Sequence, residues 1–332
     1  MNNNFTENSP FVLVSSPGMY GMGDRIQKIL EEKGLKIHHH RVEYTRFSNG
    51  EILPRIPETV RRMNVFFLHP LQHPDPNTAL VMMLLANDAL TRASAAEINL
   101  VVPYLPYLRQ DRKDKPRVPI SAKVIADLIQ SNRSVRRIIT VDMHAEQIPG
   151  FFNIPVDNLP SYSLFVSYFK ELLKNDTQKV VAVAPDFGGA VRTRRFAKRY
   201  GDIPVAIIEK RRNNPNESEI VSVIGEPVND AIVIIFEDMI DTGGTIRKTE
   251  ALLRKLGASE VFLSTAHGIF SGNAVKEFSS SEISVACTDS IPRERSFLKE
   301  NPWMKIVSID RMLADAIFEC ALVGGSMSRL NL

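Results

Sequence analysis

Between Ala231 and Ile246 the chain reads Ala-Ile-Val-Ile-Ile-Phe-Glu-Asp-Met-Ile-Asp-Thr-Gly-Gly-Thr-Ile, and few folds can house that order of residues. The apolar run Ile232–Phe236 is too short for a core helix and rich in β-branched residues, so it predicts a strand buried on both faces. Two glycines between threonines let the backbone turn its N–H groups inward, and the helical pattern that follows brings a positive dipole end to the same point. Together these form a seat for a phosphate dianion. Glu237 and Asp238 stand at the strand's carboxyl end, one loop-length away, where carboxylates suit the hydroxyls of a sugar. A lone Thr-Gly-Gly-Thr would equally serve as an ordinary strand–turn–helix corner, with Asp and Thr as caps. The acids tip the balance: three within five residues repel one another unless a cation or hydroxyls separate them. The ligand expected here is a five-carbon sugar phosphate.

Strand-like runs alternate with amphipathic helical patterns along the rest of the chain, which predicts an α/β protein with largely parallel sheets. Phe11–Val14 is followed by a helix at Met22–Glu32, strands at Ile37–Tyr44 and Val65–His69, and a long helix at Asn77–Arg92. Ile98–Val102, a helix at Ser121–Gln130 and Ile138–Val141 complete a first series. A second runs through helix Ser161–Leu173, strand Val180–Ala184, helix Gly189–Tyr200 and strand Val205–Ile208. Strand Ile232–Phe236, helix Thr245–Leu256, strands Val261–Thr265 and Ile283–Ala286, and helix Arg311–Leu322 follow. Each series holds enough strands for its own open sheet, so two domains meeting near residue 160 are expected, as suits 332 residues.

Five further segments carry chemistry. After the strand Ile98–Val102, Arg109, Arg112, Lys113, Lys115 and Arg117 crowd a loop with Gln110, Asp111 and Asp114. A solvated charged loop is the plain alternative, but α/β ligands bind at the carboxyl ends of strands, where Arg forks and Lys charges would meet a polyphosphate. Asp142 and His144 end another strand; they suit a magnesium–nucleotide site in which His144 touches a phosphate, a metal-bound water or the metal itself. Asp186, before Gly188-Gly189, is either an N-terminal cap or a second anchor for metal or ribose. Glu209-Lys-Arg-Arg-Asn-Asn-Pro-Asn216 reads as a mobile basic loop whose Lys210 and Arg212 would close over a transferring phosphoryl group. In Thr45-Arg-Phe-Ser-Asn-Gly-Glu51 the Asn-Gly pair predicts a hairpin turn, with Phe47 placed to stack on a base and Asn49 and Glu51 to bond its edge.

A net charge of +3 argues against a dedicated nucleic-acid binder. Two cysteines, Cys287 and Cys320, in apolar surroundings offer neither a disulfide frame nor a thiolate metal site. The N-terminus lacks the pattern of a secretion signal, and no apolar stretch approaches a membrane span, so a cytoplasmic protein is expected.

In their order, these segments resemble the ribose-phosphate diphosphokinase, or phosphoribosyl pyrophosphate (PRPP) synthetase, family in its phosphate-regulated class. The resemblance runs from the Phe47 turn through Arg-Gln-Asp-Arg-Lys113, Asp142-Met-His-Ala-Glu-Gln-Ile-Pro-Gly-Phe-Phe152, Pro185-Asp-Phe-Gly-Gly189, Glu-Lys-Arg-Arg212 and Glu237–Thr245 to Ile269-Phe-Ser-Gly-Asn-Ala274. It implies two similar phosphoribosyltransferase-type domains. One covers residues 1–159, on the ATP side, completed by the tail 320–332; the other covers 160–319, on the ribose 5-phosphate side. It also implies ATP-dependent, magnesium-requiring diphosphoryl transfer to the C1 hydroxyl of ribose 5-phosphate, giving PRPP and AMP. Phe47, Asn49, Glu51, Arg109, Gln110 and His144 would hold ATP, the first three from a neighbouring subunit. His144 and Asp186 would serve the metal. Lys210 and Arg212 would be catalytic, with Arg212 also reaching the ribose 5-phosphate. Glu237, Asp238, Asp241, Thr242, Gly243, Gly244 and Thr245 would hold that sugar. Family members are commonly hexamers built from dimers, activated by phosphate and inhibited by ADP. Three positions depart from the family pattern: Glu237 for an Asp, Asn49 for an Asp, and Ala266-His267-Gly268 for Thr-His-Pro, the last expected to concern a loop. A PRPP-consuming phosphoribosyltransferase would lack a use for the Arg109–Arg117 loop. A non-catalytic regulatory homologue would have no need of Lys210, Arg212, His144 and an intact Asp-Thr-Gly-Gly-Thr.

Overall fold

The computed structural model describes residues 11–214 and 217–330, excluding the side chains of residues 210–221 and of Thr245. The chain forms two compact units. The first holds the residues up to Leu159, with Ser290–Pro292 and the chain from Ile309 to Leu330; the second holds Pro160–Asp289 and Arg293–Ser308.

The first unit runs β1 (Phe11–Ser15), α1 (Tyr20–Glu32), β2 (His38–Arg41), β3 (Glu43–Arg46), β4 (Ile52–Arg55), β5 (Asn64–Leu68), α2 (Pro76–Arg92), β6 (Glu97–Val101), α3 (Ser121–Ile129), β7 (Val135–Val141) and β8 (Val156–Leu159). Its six-stranded sheet has the order β2-β1-β5-β6-β7-β8, parallel throughout. Val12, Val14, Val65, Phe67, Ile98, Leu100 and Ile138 fill the core on one face of that sheet, each contributing roughly 1.5–3 kcal/mol by burial. At the start of α2, Asp75 accepts from the N–H groups of Asn77 and Thr78 at 3.0 Å, and Pro76 occupies the first turn where no donor is needed. The stretch Ile37–Tyr44, expected as one strand, divides at Val42 into β2 and β3. β3 and β4 then form a separate antiparallel ribbon around the Asn49-Gly50 turn, as the Asn-Gly pair predicts.

The second unit runs α4 (Tyr162–Leu172), β9 (Val180–Ala184), α5 (Ala190–Gly201), β10 (Val205–Asn214), β11 (Glu217–Gly225), β12 (Ile232–Ile240), α6 (Gly244–Lys255), β13 (Glu260–Gly268), α7 (Ala274–Ser279), β14 (Ser284–Thr288), α8 (Arg295–Glu300) and β15 (Met304–Val307). Its sheet has the order β11-β10-β9-β12-β13-β14-β15, parallel except for the β10–β11 edge. Ile232–Phe236 is fully buried, as a strand covered on both faces must be.

Three expectations are corrected here. The basic loop from Glu209 is the outer half of β10, paired antiparallel with β11 through Lys210↔Ile220, Arg211↔Glu219 and Arg212↔Ser218; main-chain pairing, which polar composition does not forbid, replaces the loop. Pro215 and Asn216 lie outside the described residues. The strand expected to stop at Phe236 continues to Ile240, because β13 keeps pairing with it up to Ile240↔Gly268. Ala266-His267-Gly268 is therefore the end of β13, not a loop, and His267 is buried.

The helix α9 (Asp310–Ala321) belongs to the first unit as a whole, not only from residue 320. Met312, Leu313, Ala316 and Ile317 are buried, Arg25 pairs with Asp310, and Lys33 Nζ lies 2.6 Å from Asp315. Among the described residues no helix is long and apolar enough to cross a membrane.

Candidate functional site

In the second unit the sheet order reverses direction between β9 and β12: β10 follows β9 on one side, while β12 to β15 build outward on the other. Open α/β sheets bind ligands in the crevice at such a switch point, outside the carboxyl ends of the strands. Pairing of β9 with β12 ends at Ile235↔Val183, whereas β12 continues for five more residues against β13 alone. Glu237 and Asp238 lie on this one-sided stretch.

Both sequence-marked corners converge there. After β9, Asp186 accepts the N–H of Gly189 at 3.0 Å, which closes the turn leading into α5; the helix's own N-cap position is Gly189. A Cβ on Gly189 would stand 3.8 Å from Glu237 Oε2, which places the Glu237 carboxylate beside the amino end of α5. After β12, Gly243 adopts φ +78°, the left-handed turn that starts α6. A Cβ there would meet Phe278 Cε2 at 2.8 Å, while one on Gly244 would meet nothing within 4 Å. The turn is thus backed by an aromatic ring on one side and open on the other. Thr242 is exposed and Asp241 half-buried; the backbone of Thr245 lies in α6, its side chain outside the described residues. The first-turn N–H groups of a helix have no intrahelical partner and suit a phosphate.

Sequence reasoning missed one residue. Arg192 Nη1 lies 3.0 Å from Asp238 Oδ1, with the carboxylate nearly closed to water. A cation in the first turn of a helix opposes the dipole, and that placement, third in α5, was the available signal that Arg192 has a specific carboxylate partner.

In the first unit, β6 and β7 are neighbours, so the loops leaving them adjoin. Gln147 Nε2 donates to Asp111 Oδ2 at 2.6 Å and ties the two loops. Gln110 is fixed by Ser121 and by its carbonyl, which accepts from Ala122 N–H at 3.2 Å. Arg109, Arg112, Lys113, Lys115 and Arg117 are exposed. Tyr107, Arg117 and Asp142 all take positive φ (66°, 64° and 37°); strained backbone of this kind collects at functional loops. His144 is half-buried beside Asp142 in sequence.

The β3–β4 ribbon carries Phe47, Asn49 and Glu51, all exposed. Phe47 N–H donates to Glu51 carbonyl at 2.9 Å, and Asn49 Oδ1 accepts from Glu51 N–H at 3.1 Å. Asn49 is thereby committed in part to its own turn, with one lone pair of that oxygen left for a ligand. Lys210 and Arg212 have their backbones on β10, and their side chains lie outside the described residues.

The donor set fits magnesium by its chemistry. Asp186, Glu237 and Asp238 offer hard oxygens, and an ion held mainly by water and phosphates needs only one or two of them. Among the described residues no group of three or more His, Cys, Asp or Glu side chains gathers as a cage for a metal.

Residues 14–132 match the model of the N-terminal domain of ribose phosphate pyrophosphokinase, and residues 212–331 that of the phosphoribosyl synthetase-associated domain. Ribose-phosphate pyrophosphokinase from Fusobacterium nucleatum is 42% identical over 88% of this chain and 90% of its own length. The protein of that name from Thermotoga maritima is 44% identical over 83% and 85%. The crystal structure of phosphoribosylpyrophosphate synthetase from Mycobacterium smegmatis superposes with a TM-score of 0.82 at 33% identity, covering 93% of this chain and 98% of that one.

Proposed function

Since this chain belongs to the ribose-phosphate pyrophosphokinase family, we propose how its own residues divide the transfer of the β,γ-diphosphoryl group of ATP to the C1 hydroxyl of ribose 5-phosphate. The sugar O1 attacks the β-phosphorus, the bond from that phosphorus to the α–β bridging oxygen breaks, AMP leaves, and the hydroxyl proton goes to solvent. No covalent intermediate with the protein is needed. The protein's task is to align the reacting atoms and neutralise charge.

The second unit takes ribose 5-phosphate. Thr242, Gly243, Gly244 and Thr245 at the amino end of α6 hold the phosphate, with Asp241 framing the turn. Glu237 and Asp238 hold the ribose hydroxyls. The observation that carries this assignment is that the acid pair, the glycine turn and the Asp186 corner all stand at one switch point. The first unit takes ATP: Arg109 and Gln110 on the loop after β6 and His144 on the loop after β7 meet the triphosphate. Phe47 stacks on the adenine, with Asn49 and Glu51 at its edge, presented by a neighbouring subunit of a homo-oligomer, a hexamer built from dimers. Inorganic phosphate and ADP are its effectors. Magnesium, when bound, would draw charge from the phosphate oxygens; His144 and Asp186 would hold it, directly or through water. Lys210 and Arg212, on the outer half of β10, supply positive charge as the diphosphoryl group moves. The two free thiols suit a reducing compartment, and a cytoplasmic location is part of the same reading.

Replacing Lys210 tests the division of labour. Lys210→Ala should lower kcat about a hundred- to a thousandfold, the usual worth of one charge donor, while the Kd for ribose 5-phosphate stays within about threefold. Near-normal turnover would remove Lys210 from the mechanism.

A further inference from the structure

Arg293 lies between β14 and α8, outside every segment assigned above to a substrate. Its Nη2 donates to the carbonyls of Gly268 (2.8 Å) and Ile269 (2.6 Å). Its guanidinium sits over the rings of Phe270 and Phe297, 5.8 and 4.9 Å from their centroids. Burial pulls its pKa below the ordinary arginine value. Taking a cation out of water to hold two main-chain oxygens is unfavourable unless the held segment matters.

That segment leads to the glycine turn by two routes. Through the main chain, the N–H groups of Ile269 and Phe270 both donate to the Ile240 carbonyl (2.8 and 3.1 Å), and Ser271 N–H donates to the Asp241 carbonyl (2.9 Å). Ile240 and Asp241 are the last residues before Thr242-Gly243-Gly244. Through side chains, Phe270 meets Phe278 edge-on at 5.8 Å and Trp303 at 5.4 Å, and Phe278 stacks on Trp303 at 5.3 Å. The Phe278 ring is the one that lies against Gly243. Cation–π contact with Phe270 therefore fixes one end of an aromatic stack whose other end backs the turn.

We propose that Arg293 is a positioning residue for the phosphate-binding turn: by fixing residues 268–271 and the Phe270 ring, it sets where Asp241–Gly244 stand. This rests on the turn being the ribose 5-phosphate site. The consequence is specific to one substrate, because ATP is assigned to the other unit.

Trp303 is the chain's single tryptophan and lies in the stack, so its fluorescence reports on the buttress. Ribose 5-phosphate is titrated against the full-length enzyme while Trp303 emission is read, and binding is repeated by calorimetry. Steady-state KM values for both substrates and a thermal melt accompany it. Arg293→Ala should weaken ribose 5-phosphate about tenfold, ~1.4 kcal/mol, with the KM for ATP within about twofold and a cooperative melt. Arg293→Lys, which can still donate to both carbonyls, should recover most of the loss. Unchanged ribose 5-phosphate affinity in a folded Arg293→Ala protein, or equal weakening of both substrates, overturns the proposal. Should Arg293→Ala fail to fold, Arg293→Gln decides, with about threefold weakening expected and wild-type affinity refuting. Failure of the wild-type enzyme to bind ribose 5-phosphate would instead refute the site assignment itself.

Discussion

Replacing Arg192 by Met removes the cation from a carboxylate that has almost no access to water: the Asp238 side chain is 3% exposed and that of Arg192 20%. Breaking a buried pair by deleting one partner costs about 3–5 kcal/mol, because the remaining charge is left uncompensated. The Arg192 side chain keeps a fifth of its surface, so the lower end applies, about 3 kcal/mol. For a unit of this size each kcal/mol lowers Tm by roughly 2–4 °C, so the second unit should melt about 6–12 °C lower. The decisive variant is the double one, Arg192→Met with Asp238→Asn, in which no charge is stranded. It should regain most of the lost stability, giving a coupling of about 2 kcal/mol in the cycle. Ribose 5-phosphate affinity, by contrast, should stay low in the double variant, since Asp238 is proposed to hold the ribose hydroxyls. Urea denaturation followed by Trp303 emission reads the second unit. Additive effects, with coupling below about 0.5 kcal/mol, would show that the pair is not the electrostatic unit described here.

His69 is wholly buried; its Nε2 donates to the Ala79 carbonyl at 2.9 Å and its Nδ1 lies 2.7 Å from Ser16 Oγ. Burial lowers its pKa to about 4. The folded protein then takes up this proton only near pH 4, whereas the unfolded chain does so near pH 6.5, so stability falls as the pH drops between those values, by ~3 kcal/mol. His69→Gln should flatten that acid slope, measured by urea midpoints from pH 7 to 4.5, and an unchanged slope would place the proton uptake elsewhere. Asp75→Ala deletes the cap of α2 and should destabilise the first unit by about 1 kcal/mol, with no effect on ribose 5-phosphate binding; a silent substitution would mean that the cap adds nothing. Cys287 and Cys320 are both pushed up to about 12 by burial. Alkylation at pH 8 should be slow in the native protein and complete in denaturant, and fast native labelling of either thiol would contradict their environments.

The architecture was legible wherever burial on both faces forces a continuous apolar run, as at Ile232–Phe236, Val180–Ala184 and Phe11–Val14. It was illegible where main-chain pairing alone makes the strand. β10 beyond Ile208 is basic and polar and leads to Asn214-Pro215, so composition reads as loop, yet β11 zips onto it as an edge. β8 and β15 are four residues long and only partly buried, which leaves almost no periodic signal. The glycine turn and the acid pair were visible from spacing, because their chemistry is local. Arg192 and Arg293 were not: each acts on a segment distant in sequence, and an arginine in a helix or loop ordinarily reads as solvated surface. The same holds for α9, whose ion pairs with Arg25 and Lys33 join residues nearly the whole chain apart.

The central claim is that the pentose oxygen takes two phosphoryl groups from ATP in one displacement at the β-phosphorus. Phosphorus NMR of the enzyme with ATP, magnesium and ribose 5-phosphate reads this directly. Equal amounts of AMP and a sugar-linked diphosphate should grow in, with no ADP and no free phosphate. ADP accompanied by a sugar bisphosphate, ADP with inorganic phosphate, or unchanged ATP would each contradict it.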